Sequence, residues 1–236
     1  MTFARSFVGR RKEIEKLHQA YAERRHVLIV GPAGIGKTAL LRRAQDQLPL
    51  LVCEETSSLR RICESLERHF GWTHRNMNVV ERKNRLLPYL ARREEPVVLD
   101  AVAFTPPRVA RFIHNLIERV PVWITCRSSQ PKDIGGVWQH LHHFERIELP
   151  ALRPQDTADL IQSAIAAGRI TPLTPRQIAK LHRIARGNPR AVEELLIELS
   201  SRRYDLDDAF ETKLLNLDRR IHYAAALAAA RNGVES

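Results

Sequence analysis

Only three cysteines, Cys53, Cys63 and Cys126, occur in the 236 residues. They are too few and too scattered for a disulfide framework or for zinc-ligand spacing, so reduced thiols inside a cell are expected. Long apolar runs are missing as well. The longest, Ala224 to Ala230, is far too short to cross a bilayer. The first residues carry Arg5, Arg10, Arg11 and Lys12 with no apolar signal-peptide core. A secreted or membrane chain is not expected; a cytoplasmic protein without a membrane partner is. Acidic residues are also in short supply, 27 against 38 Lys and Arg, for a net charge of +11. An anionic partner is the physical expectation, with nucleic acid the commonest candidate and duplex DNA one form of it. The arginines fall in pairs along the whole chain, from Arg10-Arg11, Arg24-Arg25 and Arg42-Arg43 to Arg60-Arg61, Arg92-Arg93, Arg202-Arg203 and Arg219-Arg220. Biased codon usage produces the same signature, and no single basic tail stands out. With 44% hydrophobic and 28% charged residues, the composition is that of a globular protein and excludes extended disorder.

What is present is an alternation of helical and strand-like segments. Ile14, Leu17 and Tyr21 mark a helix from Arg10 to Glu23, and His26 to Val30 reads as a buried strand ending in glycine. A helix from Thr38 to Gln47, a strand Leu50 to Cys53, and a helical face of Leu59, Ile62, Leu66 and Phe70 follow. Next come a helix from Val80 to Leu90, a strand Pro96 to Leu99, and a helix opened by Pro106-Pro107 that ends near Val120. Val122 to Cys126 and Arg146 to Leu149 complete five strands, the last after a loop containing Gly135-Gly136. Continuous apolar strands separated by helices predict a parallel sheet covered on both faces. After Pro150 only helical periods remain: Gln155 to Ala167, Pro175 to Arg186, Pro189 to Leu199, Ala209 to Leu217 and an Ala-rich stretch to Arg231. The expected organisation is an α/β domain over residues 1–150 and a small all-helical domain over 151–236, with 204–236 reading as the start of a further domain.

Between the first strand and the second helix stands Gly31-Pro32-Ala33-Gly34-Ile35-Gly36-Lys37-Thr38, the pattern G-x-x-x-x-G-K-T of a P-loop. Its chemistry follows from its place. Glycines let successive N–H groups curl toward a phosphate, and the helix start through Ala39 adds its partial positive charge. Lys37 is the residue to bridge phosphates, and the Thr38 hydroxyl is a magnesium ligand. Pro96-Val-Val-Leu-Asp100 is an apolar strand ending in a carboxylate, which suits Asp100 to hold the same metal ion.

Further segments then fall in a familiar order. Phe7-Val8-Gly9-Arg10 with Glu13 resembles the opening of the AAA+/STAND class of P-loop ATPases; Val122-Trp-Ile-Thr125-Cys126-Arg127 resembles its sensor-1 strand. Gly187-Asn188-Pro189-Arg190 resembles the lid motif of STAND proteins and the sensor-2 motif of AAA+ proteins. The resemblance covers about residues 3 to 200. It implies a P-loop NTPase with a parallel five-stranded sheet, flanking helices and a helical lid, binding ATP or ADP with Mg2+. Val8, Gly9 and Arg10 are implied to contact the nucleotide, Arg127 the γ-phosphate, Arg190 the same phosphate from the lid, and Pro189 the adenine.

Two departures stand out. The family places an acid after the strand aspartate, whereas Asp100 is followed by Ala101. Weak hydrolysis, an engineered alanine, or a base supplied by Glu54 or Glu55 at the neighbouring strand end each accounts for this. No Arg-Phe finger precedes the fifth strand, where His143-Phe144-Glu145-Arg146 stands; Arg146 and Arg119 are the substitutes. His140, His142 and His143 read as a solvated loop without metal-ligand partners, Cys126 as a strand residue, and Trp72, Trp123 and Trp138 as packing residues. The functional readings are three: a nucleotide-driven switch or assembly factor with a protein partner or a second copy, a DNA-associated ATPase of the replication or transposition-regulator type, and a non-hydrolysing interaction module.

Overall fold

The computed structural model describes residues 7–73, 76–202 and 204–232; Arg5 and Arg203 lie outside them. The chain divides into two compact units, Arg10–Pro150 and the segment from Ala151 onward together with the residues up to Gly9.

The first unit is the expected α/β layer structure. Helix α1 (Arg11–Ala22) leads to β1 (Val27–Val30), α2 (Lys37–Gln45), β2 (Leu51–Cys53), α3 (Leu59–His69), α4 (Val79–Leu90) and β3 (Val97–Val102). Then come α5 (Pro107–Ile117), β4 (Val122–Cys126), the short α6 (Pro131–Ile134) and β5 (Glu145–Glu148). All pairings are parallel, in the order β2-β3-β4-β1-β5. The strand after the P-loop helix therefore lies beside the strand that carries Asp100, as its place in such a sheet requires. Central strands β1 and β4 are buried along their whole length, which accounts for their unbroken apolar sequences. Trp123 is fully buried in β4, its indole N–H donating to the Arg25 carbonyl at 3.1 Å, so it packs as expected.

Two features depart from the sequence reading. The loop around Gly135-Gly136 is ordered into α6 and a 3-10 segment, Gly136–His143, held down by buried Ile134 and Val137. And β3 does not stop at Leu99. Leu99 pairs with Ile124 and Val102 with Cys126, so Asp100 and Ala101 together oppose Thr125 alone, a β-bulge. Ala101 is exposed and takes φ +55°, a left-handed conformation that costs a non-glycine residue about 1–2 kcal/mol. The Ala101→Gly variant is expected to be more stable by roughly 0.5–1 kcal/mol, after the greater freedom of its unfolded chain is counted. Thermal unfolding checks this, since a bulge without strain would show no gain.

The second unit consists of α7 (Pro154–Ala166), α8 (Pro175–Ala185), α9 (Pro189–Ser201) and α10 (Ala209–Asn232). Leu160, Ile161, Leu181, Val192, Leu195 and Leu215 form its core, and Val8 packs against that cluster. The two helical stretches expected after Ala209 are one continuous helix. Gly187, at φ +66°, lies so close to the Leu152 carbonyl that any Cβ would sit 2.5 Å from its oxygen, and its own carbonyl accepts the Leu152 N–H at 2.7 Å. Only glycine fits this crossing.

Candidate functional site

The P-loop runs from the buried end of β1 into α2. Gly36 is the N-cap of α2 at φ +102°, a conformation open to glycine and costly for any other residue. The first in-helix hydrogen bond goes from the Leu40 N–H to the Gly36 carbonyl. The N–H groups of Lys37, Thr38 and Ala39 thus belong to the helix start, where no in-helix acceptor exists and the helix dipole is positive.

Lys37 folds over its own loop, donating from Nζ to the carbonyls of Gly31 at 2.6 Å and Pro32 at 3.0 Å. Its pKa is lowered, chiefly by burial; Cys126 and Asp100 oppose the shift and the nearby Arg127 guanidinium adds to it. Two cations held this close favour an anion between them. Arg127, just past β4, is exposed, so the structure brings Lys37 and Arg127 into one electrostatic neighbourhood.

Asp100 is buried, 5% exposed, and both its oxygens are oriented. Thr38 Oγ1 donates to Oδ2 at 2.7 Å, and Thr125 Oγ1 donates to Oδ1 at 2.5 Å. The Ala101 N–H donates to Thr125 Oγ1 at 2.8 Å and to Asp100 Oδ1 at 2.9 Å. A fully buried threonine on the next strand therefore both steers the carboxylate and pins the bulge. In sequence Thr125 stands out only as part of a motif; the signal for its role is its register position on β4, opposite Asp100 of β3. The Thr38 hydroxyl and the Asp100 carboxylate form an all-oxygen pair at the helix start, the hard donor set that Mg2+ takes.

Glu54 and Glu55 stand at the end of β2 as expected, but their carboxylates are turned elsewhere. Glu54 meets Arg42 at 3.5 Å and Glu55 meets Arg61 at 3.3 Å, all four side chains at least half exposed. The group that reaches the Asp100 backbone from this strand end is the Thr56 hydroxyl, donating to its carbonyl at 3.3 Å.

Arg10 is buried, 5% exposed. One guanidinium nitrogen donates to the Pro150 carbonyl at 2.7 Å and to the Ile35 carbonyl at 3.3 Å, and Glu13 is 3.5 Å away. Arg10 thus fastens the P-loop backbone to the end of the sheet. Val8 and Gly9 belong to the helical unit, Gly9 against Asp156. In the same unit the Asn188 side chain caps α9, with Pro189 in its first turn. Arg190 lies 4.5 Å over the Tyr223 ring and donates to Glu194 at 3.0 Å. Arg146 is engaged by Glu148 and Ser129, and Arg119 by Glu118 and the Asn115 carbonyl. Among the described residues no cluster of His, Cys, Asp and Glu has the make-up of a metal site, and no helix is long and apolar enough to cross a membrane.

A glycine-rich helix start, a buried carboxylate bonded to the loop threonine and a cationic strand end on a β2-β3-β4-β1-β5 sheet agree with the comparison to known families, in which residues 6–167 match the AAA ATPase domain. The chain belongs to the AAA ATPase domain family. Its fold recurs in solved structures. A signal-transduction ATPase with numerous domains and a tetratricopeptide-repeat sensor, from Pyrococcus horikoshii, is 17% identical with a TM-score of 0.55, over 91% of this chain and 33% of the other. The Orc1 protein of Aeropyrum pernix, solved in complex with DNA, is 18% identical with a TM-score of 0.60, over 91% of this chain and 66% of the other. A Walker-type ATPase of Pyrococcus abyssi is 13% identical with a TM-score of 0.61, over 96% and 76%. This AAA ATPase domain spans a third of the first of these proteins and about two thirds of the second. No curated protein matches the sequence.

Proposed function

We propose that the chain binds ATP with Mg2+ at Gly31–Ala39 and acts as a nucleotide-dependent switch or assembly factor. The observation that carries this reading is the Thr38–Asp100–Thr125 chain of hydrogen bonds beside Lys37: a helix start, a lysine and an oriented carboxylate converge where a triphosphate tail and its cation would bind. The cation, when bound, neutralises phosphate charge. Lys37 exchanges its two carbonyl acceptors for phosphate oxygens, and Arg127 supplies a donor fork for the last phosphate. With Ala101 following Asp100 at a bulge and Glu54 and Glu55 paired to surface arginines, turnover is slow and the bound nucleotide is a state rather than a fuel.

The test compares ATP and ADP affinities in wild type and Arg127→Ala. The wild type is expected to prefer ATP, and the variant to lose about tenfold of that preference, the value of one charge-assisted contact, with ADP binding unchanged. An unaltered preference would remove Arg127 from the switch.

The net charge of +11 and the fold likeness to a protein solved with DNA support a second reading, a DNA-associated ATPase. The arginine pairs argue for restraint, because many already meet acids of their own chain: Arg24 with Glu94, Arg25 with Glu145, Arg43 with Asp46, Arg219 with Glu194. Duplex binding that weakens steeply with salt and depends on ATP is what this reading requires.

A further inference from the structure

Helix α10 has two distinct faces, one packed within its own unit and one apolar. Thr212 and Leu215 are buried on the first of them, and its neighbours fasten the helix down: Arg219 donates to Glu194 of α9 at 2.9 Å, and His222 lies 2.7 Å from Glu198. On the opposite side Phe210, Leu214, Leu217, Ile221, Ala224 and Ala228 follow one another at spacings of four and three residues, the alternation of a seam that packs on another helix. This side faces solvent: Phe210 is 69% exposed, Leu217 50% and Ile221 54%. Single exposed apolar residues need no explanation, but an aligned row of large ones marks an interaction surface.

The charges beside the seam say what fits it. Lys213 and Arg220 border it on one side, Glu211 and Asp218 on the other. Asp218 accepts from the Tyr204 hydroxyl at 2.8 Å and lies 3.7 Å from the half-exposed Arg202 guanidinium, an ion pair that Lys213 of a second copy would join. A second identical helix packed antiparallel would set basic edge against basic edge and acidic against acidic. Packed parallel about a two-fold axis, each basic edge meets the acidic edge of the other helix, with Lys213 opposite Asp218 of the second copy. We infer that the α10 seam is a self-association face that takes the same seam of a second copy of this chain in parallel. The inference does not rest on the nucleotide reading, since a monomer that still binds ATP would overturn it and leave that reading intact.

Light scattering of the full chain across micromolar concentrations provides the first test. The expected mass is twice the 27.1 kDa of one chain, and Leu217→Glu is expected to raise the dimer dissociation constant by about 30-fold, the effect of removing a central apolar anchor. ATP affinity and the far-ultraviolet helix signal should stay those of the wild type, which separates loss of pairing from loss of folding, while the melting temperature falls only by the share that self-association contributes. Orientation is read by oxidation of Phe210→Cys and Leu217→Cys, tested one at a time; the three native cysteines are buried and do not compete. In a parallel pair each position faces its own copy and both variants form disulfide dimers. A monomer at every concentration, a dimer indifferent to Leu217→Glu, or self-crosslinking at only one of the two positions would overturn the inference, and so would monomers that bind lipid vesicles through this helix.

Discussion

Lys37→Ala is expected to weaken ATP binding by a factor on the order of 100–1000, with little change in thermal stability. The ammonium is half-buried, and its present partners are two carbonyls of its own loop. Those contacts are replaceable by water once the side chain is gone. A triphosphate offers ionised oxygens instead, and hydrogen bonds to charged groups contribute about 1.5–3 kcal/mol each. Burial and Arg127 together hold the Lys37 pKa down, and an arriving phosphate relieves that penalty, so affinity rather than stability carries the effect. Isothermal titration with ATP and magnesium gives the ratio directly. A loss below about tenfold, less than one charge-assisted contact, would mean that Lys37 does not hold phosphate.

The largest expected loss of stability lies away from the site. Glu67 on α3 and Arg82 on α4 form an ion pair whose side chains are 3% and 7% exposed. The Arg82 Nε also donates to the Met77 carbonyl at 3.2 Å, while Glu67 Oε1 has no hydrogen-bond partner among the described residues. Burial, reinforced by the Glu67 charge, pushes the adjacent Cys63 thiol up to about 12. Arg82→Ala would strand the carboxylate in the core, and it should destabilise the α/β unit by about 3–5 kcal/mol. The paired replacement Glu67→Leu with Arg82→Met removes both charges at similar volume and should be near neutral. Urea unfolding of the two variants checks the contrast. Equal losses in both would show that packing, rather than the stranded charge, sets the energy.

The parts of this molecule that were legible in its sequence are those governed by local rules. The P-loop is contiguous, so glycine freedom, the helix start and the Lys37-Thr38 pair all follow from eight neighbouring residues. Strands β1 and β2 are apolar throughout and β4 is so except for Thr125, whereas β5 (Glu145–Glu148) buries Ile147 alone; α1 to α5 and α7 to α9 fall within a few residues of their periodic patterns. What stayed hidden depends on partners distant in the chain. The bulge at Asp100–Ala101 arises from register against Thr125, 25 residues away. Arg10, which the resemblance implies contacts the nucleotide, is buried against the Pro150 carbonyl, a partner 140 residues away that no local pattern announces. The paired arginines read as a polyanion-binding surface, and the acids that some of them meet, such as Glu94 for Arg24 and Glu145 for Arg25, lie too far away in sequence to be foreseen. The segment Gly136–His143 has too little apolar periodicity to declare itself and is ordered by the groups that Thr105 offers, including a 2.6 Å hydrogen bond to the Ile134 carbonyl.

The central claim is that the backbone amides of Gly34 to Thr38 enclose the phosphates of a nucleotide. Amide resonances of these residues, followed by NMR while ATP and magnesium are titrated, report on it most directly. Large shifts at Gly36, Lys37 and Thr38 are expected, with a matching response at Asp100 that depends on magnesium. Unmoved loop amides at millimolar nucleotide would contradict the account.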